Sequence, residues 1–128
     1  KISGGTFEAN ANAEAVLFSA LLDAECAVGE LTITGGTFKG ADGQAMIDNR
    51  YDASHIGSAT VSGGTFTGLA RGLSNNGTVS SISGGAFLAT ATPTNANRAV
   101  YTASGATTTI ADGKKLSKNA STGYFEVA

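Results

Sequence analysis

The ten carboxylates of this 128-residue chain are the first place to look for chemistry. The densest group is Asp42, Asp48 and Asp52, with Arg50 and His55 between and beside them, and Asp23 and Glu25 lie in an earlier insertion that could join it. Paired carboxylates can serve as acid and base on a glycosidic bond, or hold Ca²⁺, and an adjacent Arg can bind an acidic sugar. Solvated loop charges explain the same residues more simply, because carboxylates are rarely buried and usually face water. Asp42, Asp48, Arg50, Asp52 and His55 are therefore candidate ligand-binding residues, and no catalytic residue, metal or cofactor is assigned. His55 is the only His, which excludes a multi-histidine metal site. Cys26 is the only Cys, which excludes an intrachain disulfide and leaves it the role of a small buried apolar residue. The glycine doublets lack the Gly-x-x-x-x-Gly-Lys-Ser/Thr spacing of a phosphate-binding loop.

Hydroxyls offer a second kind of surface. Thr32 and Thr34, Thr60 and Ser62, Ser81 and Ser83, then Thr109 and Ala111, each flank one aliphatic residue. In a strand such neighbours point to the opposite face from the residue between them. If the four segments pair side by side, the hydroxyls form two columns, ~6.7 Å apart along the strand and ~4.8 Å apart between strands. Such an array suits a glycan or an ice lattice, so Thr32, Thr34, Thr60 and Ser62 join the candidate ligand-binding residues.

Positioning those groups falls to an internal repeat. A hexapeptide recurs as Ile2-Ser3-Gly4-Gly5-Thr6-Phe7, Ile33-Thr34-Gly35-Gly36-Thr37-Phe38, Val61-Ser62-Gly63-Gly64-Thr65-Phe66 and Ile82-Ser83-Gly84-Gly85-Ala86-Phe87, with a decayed copy at Ile110-Ala111-Asp112-Gly113. Between copies stand Leu17-Phe18-Ser19, Ile47-Asp48-Asn49, Leu73-Ser74-Asn75 and Val100-Tyr101-Thr102, which read as short strands entering turns. Strands this short bury little alone, but stacked copies would line up Ile2, Ile33, Val61, Ile82 and Ile110, then Leu17, Ile47, Leu73 and Val100, then the four Phe rings. The Gly pair is expected to turn a corner through a positive φ. Ser19, Asn49, Asn75 and Thr102 would form a polar ladder at a second corner. Residues 14–25 could alternatively form two helical turns, against which stands the alignment of Leu17 with strand positions elsewhere. The expected fold is all-β, a right-handed parallel β-helix of about four to five coils over residues 1–113, closed by a capping segment over 114–128.

Four hexapeptides in this pattern resemble the right-handed β-helix repeats of large bacterial surface proteins of the gut-anaerobe type and, more distantly, adhesin-like and pectate-lyase-like solenoids. The likeness covers residues 2–111. It implies an extracellular or cell-surface setting and a non-catalytic structural or adhesive module, with host or cell-wall glycans or other surface proteins as partners. A carbohydrate-active fragment and an ice-binding surface are the alternatives.

Composition narrows the field further. With 41% hydrophobic and 14% charged residues and a net charge of −2, the chain is not of the disordered type. Eight Lys and Arg against ten Asp and Glu form no basic excess for nucleic acid, and no apolar run approaches the ~18 residues that span a bilayer. The first hexapeptide starts at Ile2 with no capping residues before it, so its edge is expected to make contact with further coils or with another chain.

Overall fold

The computed structural model describes residues 1–9, 15–17, 28–40, 44–46, 56–75, 79–92, 94 and 98–128. They form an all-β structure. Its strands are β1 (Thr6–Glu8), β2 (Ala15–Leu17), β3 (Val28–Ile33), β4 (Thr37–Lys39), β5 (Gln44–Met46), β6 (Ile56–Gly68), β7 (Arg71–Asn75), β8 (Val79–Ala89), β9 (Arg98–Thr102), β10 (Thr107–Ile110), β11 (Leu116–Lys118) and β12 (Phe125–Val127). No helix among the described residues is long and apolar enough to cross a membrane.

The expected right-handed parallel β-helix is not what the structure shows. Two sheets form that do not close into a regular coil, and the larger mixes parallel and antiparallel pairing. Its spine runs β1-β4-β6-β8-β12-β11, with β3 beside the first half of β6 and β10 beside the first half of β8. The smaller sheet is parallel, in the order β2-β5-β7-β9.

Two local causes account for the difference. The Gly pair does not separate the third and fourth copies into two faces: β6 and β8 each run straight through it, with a register shift between Val61 and Thr65. Positive φ is confined to the second glycine, at 101°, 109°, 105° and 114° for Gly5, Gly36, Gly64 and Gly85. One such residue flanked by extended neighbours bends a strand as a bulge instead of ending it. The second cause is the C-terminal segment, where β11 and β12 form an antiparallel hairpin and β12 lies antiparallel on β8, with Phe125 opposite Phe87.

Within this frame the repeat sets the core. Ile2 bridges to Ile33, Ile33 pairs with Val61, Val61 with Ile82 and Ile82 with Ile110. Ile33, Val61 and Ile82 are wholly buried, and the end members are partly so. Phe7, Phe38, Phe66 and Phe87 stack with centroids 5.1, 4.9 and 5.0 Å apart and planes within 9°. Each buried ring contributes ~1.5–3 kcal/mol through burial, and each stacked pair adds ~0.5–1.5 kcal/mol. In the smaller sheet Leu17 pairs with Met46, Met46 with Leu73 and Leu73 with Val100. Met46 thus holds the register position expected of Ile47. Leu73 and Ala99 from this sheet, with Val127 of the hairpin, complete the buried cluster.

Candidate functional site

The sequence-predicted site divides in two. Asp42, Asp48, Arg50, Asp52 and His55, together with Asp23 and Glu25, lie outside the described residues. Thr32, Thr34, Thr60 and Ser62 are described and share one sheet.

The first hydroxyl column is in register at every step: Thr32 pairs with Thr60, Thr60 with Ser81 and Ser81 with Thr109. Each member precedes a residue of the interior Ile/Val column, so alternation places it on the opposite face. Thr109 is exposed and the other three are half-buried. The second column is less regular, because the bulge shifts register just after Val61 and sets Ser62 opposite Gly84. Its exposed hydroxyls turn back onto the preceding copy: Thr34 Oγ1 donates to Ile2 O and Ser62 Oγ to Ile33 O, each at a long 3.5 Å. The first column therefore carries the better-ordered array.

A separate polar cluster sits where β7, β9 and β10 meet. Ser74 and Asn75 have no solvent exposure. Asn75 Nδ2 donates to Thr107 O at 2.9 Å and to Thr108 Oγ1 at 3.1 Å, while Thr102 Oγ1 donates to Thr108 Oγ1 at 2.7 Å. Arg71 Nη1 donates to Ser74 Oγ at 3.0 Å, and its guanidinium lies 3.7 Å from the Tyr101 ring centre. Asn75 pairs in register with Thr102, as expected of the polar ladder, while Ser19 and Asn49 lie outside the described residues. These contacts satisfy buried polar groups, which is their structural purpose. The donor Asn75 Nδ2 is spent on the backbone and on a neighbouring hydroxyl, not aimed at an open site.

One feature escaped the sequence reading. An apolar cleft of about 300 Å³ opens between the end of β8, β9 and the C-terminal hairpin, lined by Leu88, Ala89, Ala99, Val100, Leu116 and Phe125, with Thr94 and Arg98 also on its wall. Its walls come from residues between 88 and 100 and from the hairpin residues Leu116 and Phe125, so no single local motif could announce it. It has the lining to take a small apolar group. Among the described residues no group of three His, Cys, Asp or Glu is placed to hold a metal.

Lys39 Nζ donates to Glu8 Oε1 at 2.7 Å, joining the first two copies across the sheet. The hydrogen bond to Glu8, and then the attraction of its charge, raise the Lys39 ammonium above its ordinary pKa of 10.5. Both side chains are more than half exposed, so the pair contributes little to stability.

No protein-family model matches the chain, no curated protein matches it, and no solved structure matches it.

Proposed function

We propose that this chain is a non-catalytic structural or adhesive module of a bacterial surface protein, and that it binds glycans on the hydroxyl face of its larger sheet. The observation that carries this reading is the in-register column Thr32-Thr60-Ser81-Thr109, backed by the buried residues Ile33, Val61 and Ile82. A rigid backing matters because hydroxyls fixed at strand spacing can meet sugar hydroxyls without being ordered on binding. The hexapeptide likeness to extracellular repeats supports a cell-surface or secreted setting. The same column supports ice binding as a second reading, since three of its four members are Thr at one repeated spacing.

A glycan array with the intact chain tests the first reading. The expected result is saturable binding to a restricted set of glycans, reduced at least ~10-fold in Thr60→Tyr, whose ring would stand across the column. Binding that is absent, or unaltered in Thr60→Tyr, overturns the assignment to this face. Thermal hysteresis that disappears in the same variant would replace it with ice binding.

A further inference from the structure

The two glycines of each hexapeptide answer different constraints. The second adopts a positive φ in all four copies. The first does not, and in three copies it is confined by its neighbour: a Cβ on Gly35, Gly63 or Gly84 would lie 2.6, 2.5 or 2.4 Å from the backbone oxygen of Ser3, Thr34 or Ser62. Each of those oxygens belongs to the preceding copy. At Gly4 a Cβ would meet nothing within 4 Å among the described residues. Among the described residues, the constraint that explains the other first glycines does not act on Gly4. The space beside it is where the carbonyl of a further strand would lie.

Three other features of the same edge specify that strand. Thr37 N–H donates to Gly5 O at 2.8 Å and Thr65 N–H to Gly36 O at 2.9 Å, so in the second and third copies the Thr after the doublet bonds to the preceding copy's second glycine. Thr6 holds this position in the first copy, and the alternation of a parallel ladder aims its N–H off the outer edge of β1. Phe7 stacks on Phe38 and is 40% exposed, whereas Phe38 is 1% exposed and Phe66 and Phe87 are not exposed at all. Glu8 stands in register with Lys39 and is exposed, so an adjacent strand with Lys after its Phe would bring a complementary charge.

We propose that the outer edge of the first hexapeptide is an acceptor for a parallel strand of the type apolar-Ser/Thr-Gly-Gly-Thr-Phe-Lys, added as a further rung. An intact second copy of this chain does not supply it. Two β1 edges meeting about a two-fold axis would run antiparallel and place no equivalent carbonyl on Gly4. The far edge of the repeat is already covered, by β10 and by β12, and Lys114 Nζ bonds Ser83 O at 2.6 Å.

The probe is a fluorescein-labelled peptide with the sequence of residues 29–40, Gly-Glu-Leu-Thr-Ile-Thr-Gly-Gly-Thr-Phe-Lys-Gly, titrated with the intact chain and followed by anisotropy. Saturable binding is expected, with at least a ~10-fold loss for Gly4→Ala at a nearly unaltered melting temperature, because the added Cβ meets nothing within 4 Å among the described residues until the strand arrives. A peptide carrying Asp in place of its Phe leaves the protein untouched and is expected to bind at least ~10-fold more weakly. Absence of binding, or equal binding by Gly4→Ala or by the Asp peptide, overturns the proposal. So does a dimer in sedimentation velocity that persists in excess peptide, since a second copy would then be the occupant. The glycan array reads the sheet face and this titration reads its edge, so either can fail alone.

Discussion

The outer edge of the first hexapeptide and the outer edge of the fourth begin as the same chemical surface and end in opposite states. Both carry an aliphatic residue, a Gly doublet and a Phe at the same spacing. Beside Ile82 the ladder continues for one more strand: β10 pairs with β8, and Ala111 N–H reaches Ile82 O at 3.0 Å as Thr34 N–H reaches Ile2 O at 2.8 Å. The next residue is Asp112, where copies two to four have the glycine that lies against the preceding carbonyl. A side chain there would collide with Ser83 O. Instead the chain turns, with Lys114 N–H donating to Ala111 O at 3.0 Å, and the Lys114 ammonium takes Ser83 O. The place beside Phe87 passes to Phe125 of the hairpin. One residue's steric demand thus decides whether a rung is added or the ladder stops.

The largest expected effect separates the middle of the ladder from its edge. Ile33 is fully buried between Ile2 and Val61, so Ile33→Asp places an unpaired charge where neither water nor a partner can reach it. The cost exceeds ~5 kcal/mol, comparable with the whole stability of a domain this size. Circular dichroism should show an unfolded or aggregated chain. Ile2→Asp, at a partly exposed position, should remain folded and lose at most several degrees of Tm. Equal behaviour of the two variants would mean that the edge rung is as buried in solution as the central ones.

A smaller contrast isolates the glycine argument. Gly63→Ala sets a methyl 2.5 Å from the Thr34 carbonyl, backbone against backbone, and should cost ~1–3 kcal/mol as the rungs part. Gly4→Ala introduces the same methyl into open space and should change stability by less than ~0.5 kcal/mol. Urea denaturation of both variants measures the difference directly. A matching loss at Gly4 would show that its glycine is required by something within the chain and not by an absent rung.

Where six consecutive side chains recur, register was legible from sequence, because a one-residue slip would turn every Ile and Phe to the wrong face. That is why the Ile/Val column and the Phe stack lie where the pattern places them. Leu17-x-x and Ile47-x-x have no such anchor, and two adjacent apolar residues, Met46 and Ile47, left the choice of rung open by one. Positive φ within the doublet was legible as well, but not which of the two glycines carries it. Whether that residue makes a corner or a bulge depends on what its neighbours pair with, which is non-local, and here the bulge kept β6 and β8 continuous. The steric need for the first glycine was invisible for the same reason. The antiparallel hairpin and the cleft beside it arise from segments outside the repeat, where periodicity carries no information. Of the site, the Thr32-Thr60-Ser81-Thr109 column followed from register alone, whereas the carboxylate group around Asp48 falls outside the described residues.

The smallest effect concerns the Lys39–Glu8 ion pair, which ties the first rung to the second. Lys39 is raised in the folded chain by its bond to Glu8, so folding favours the protonated amine. The stability this provides is fully present below about pH 10.5, the ordinary value that the unfolded chain retains. It is lost as pH rises through the higher folded value. Because both side chains are largely in water, screening keeps the contribution small. Lys39→Met should therefore melt slightly below the unmodified chain at neutral pH and low salt. The gap should close both in high salt and at alkaline pH. A gap that persists under those conditions would mean that something other than the charge of Lys39 ties the first rung to the second.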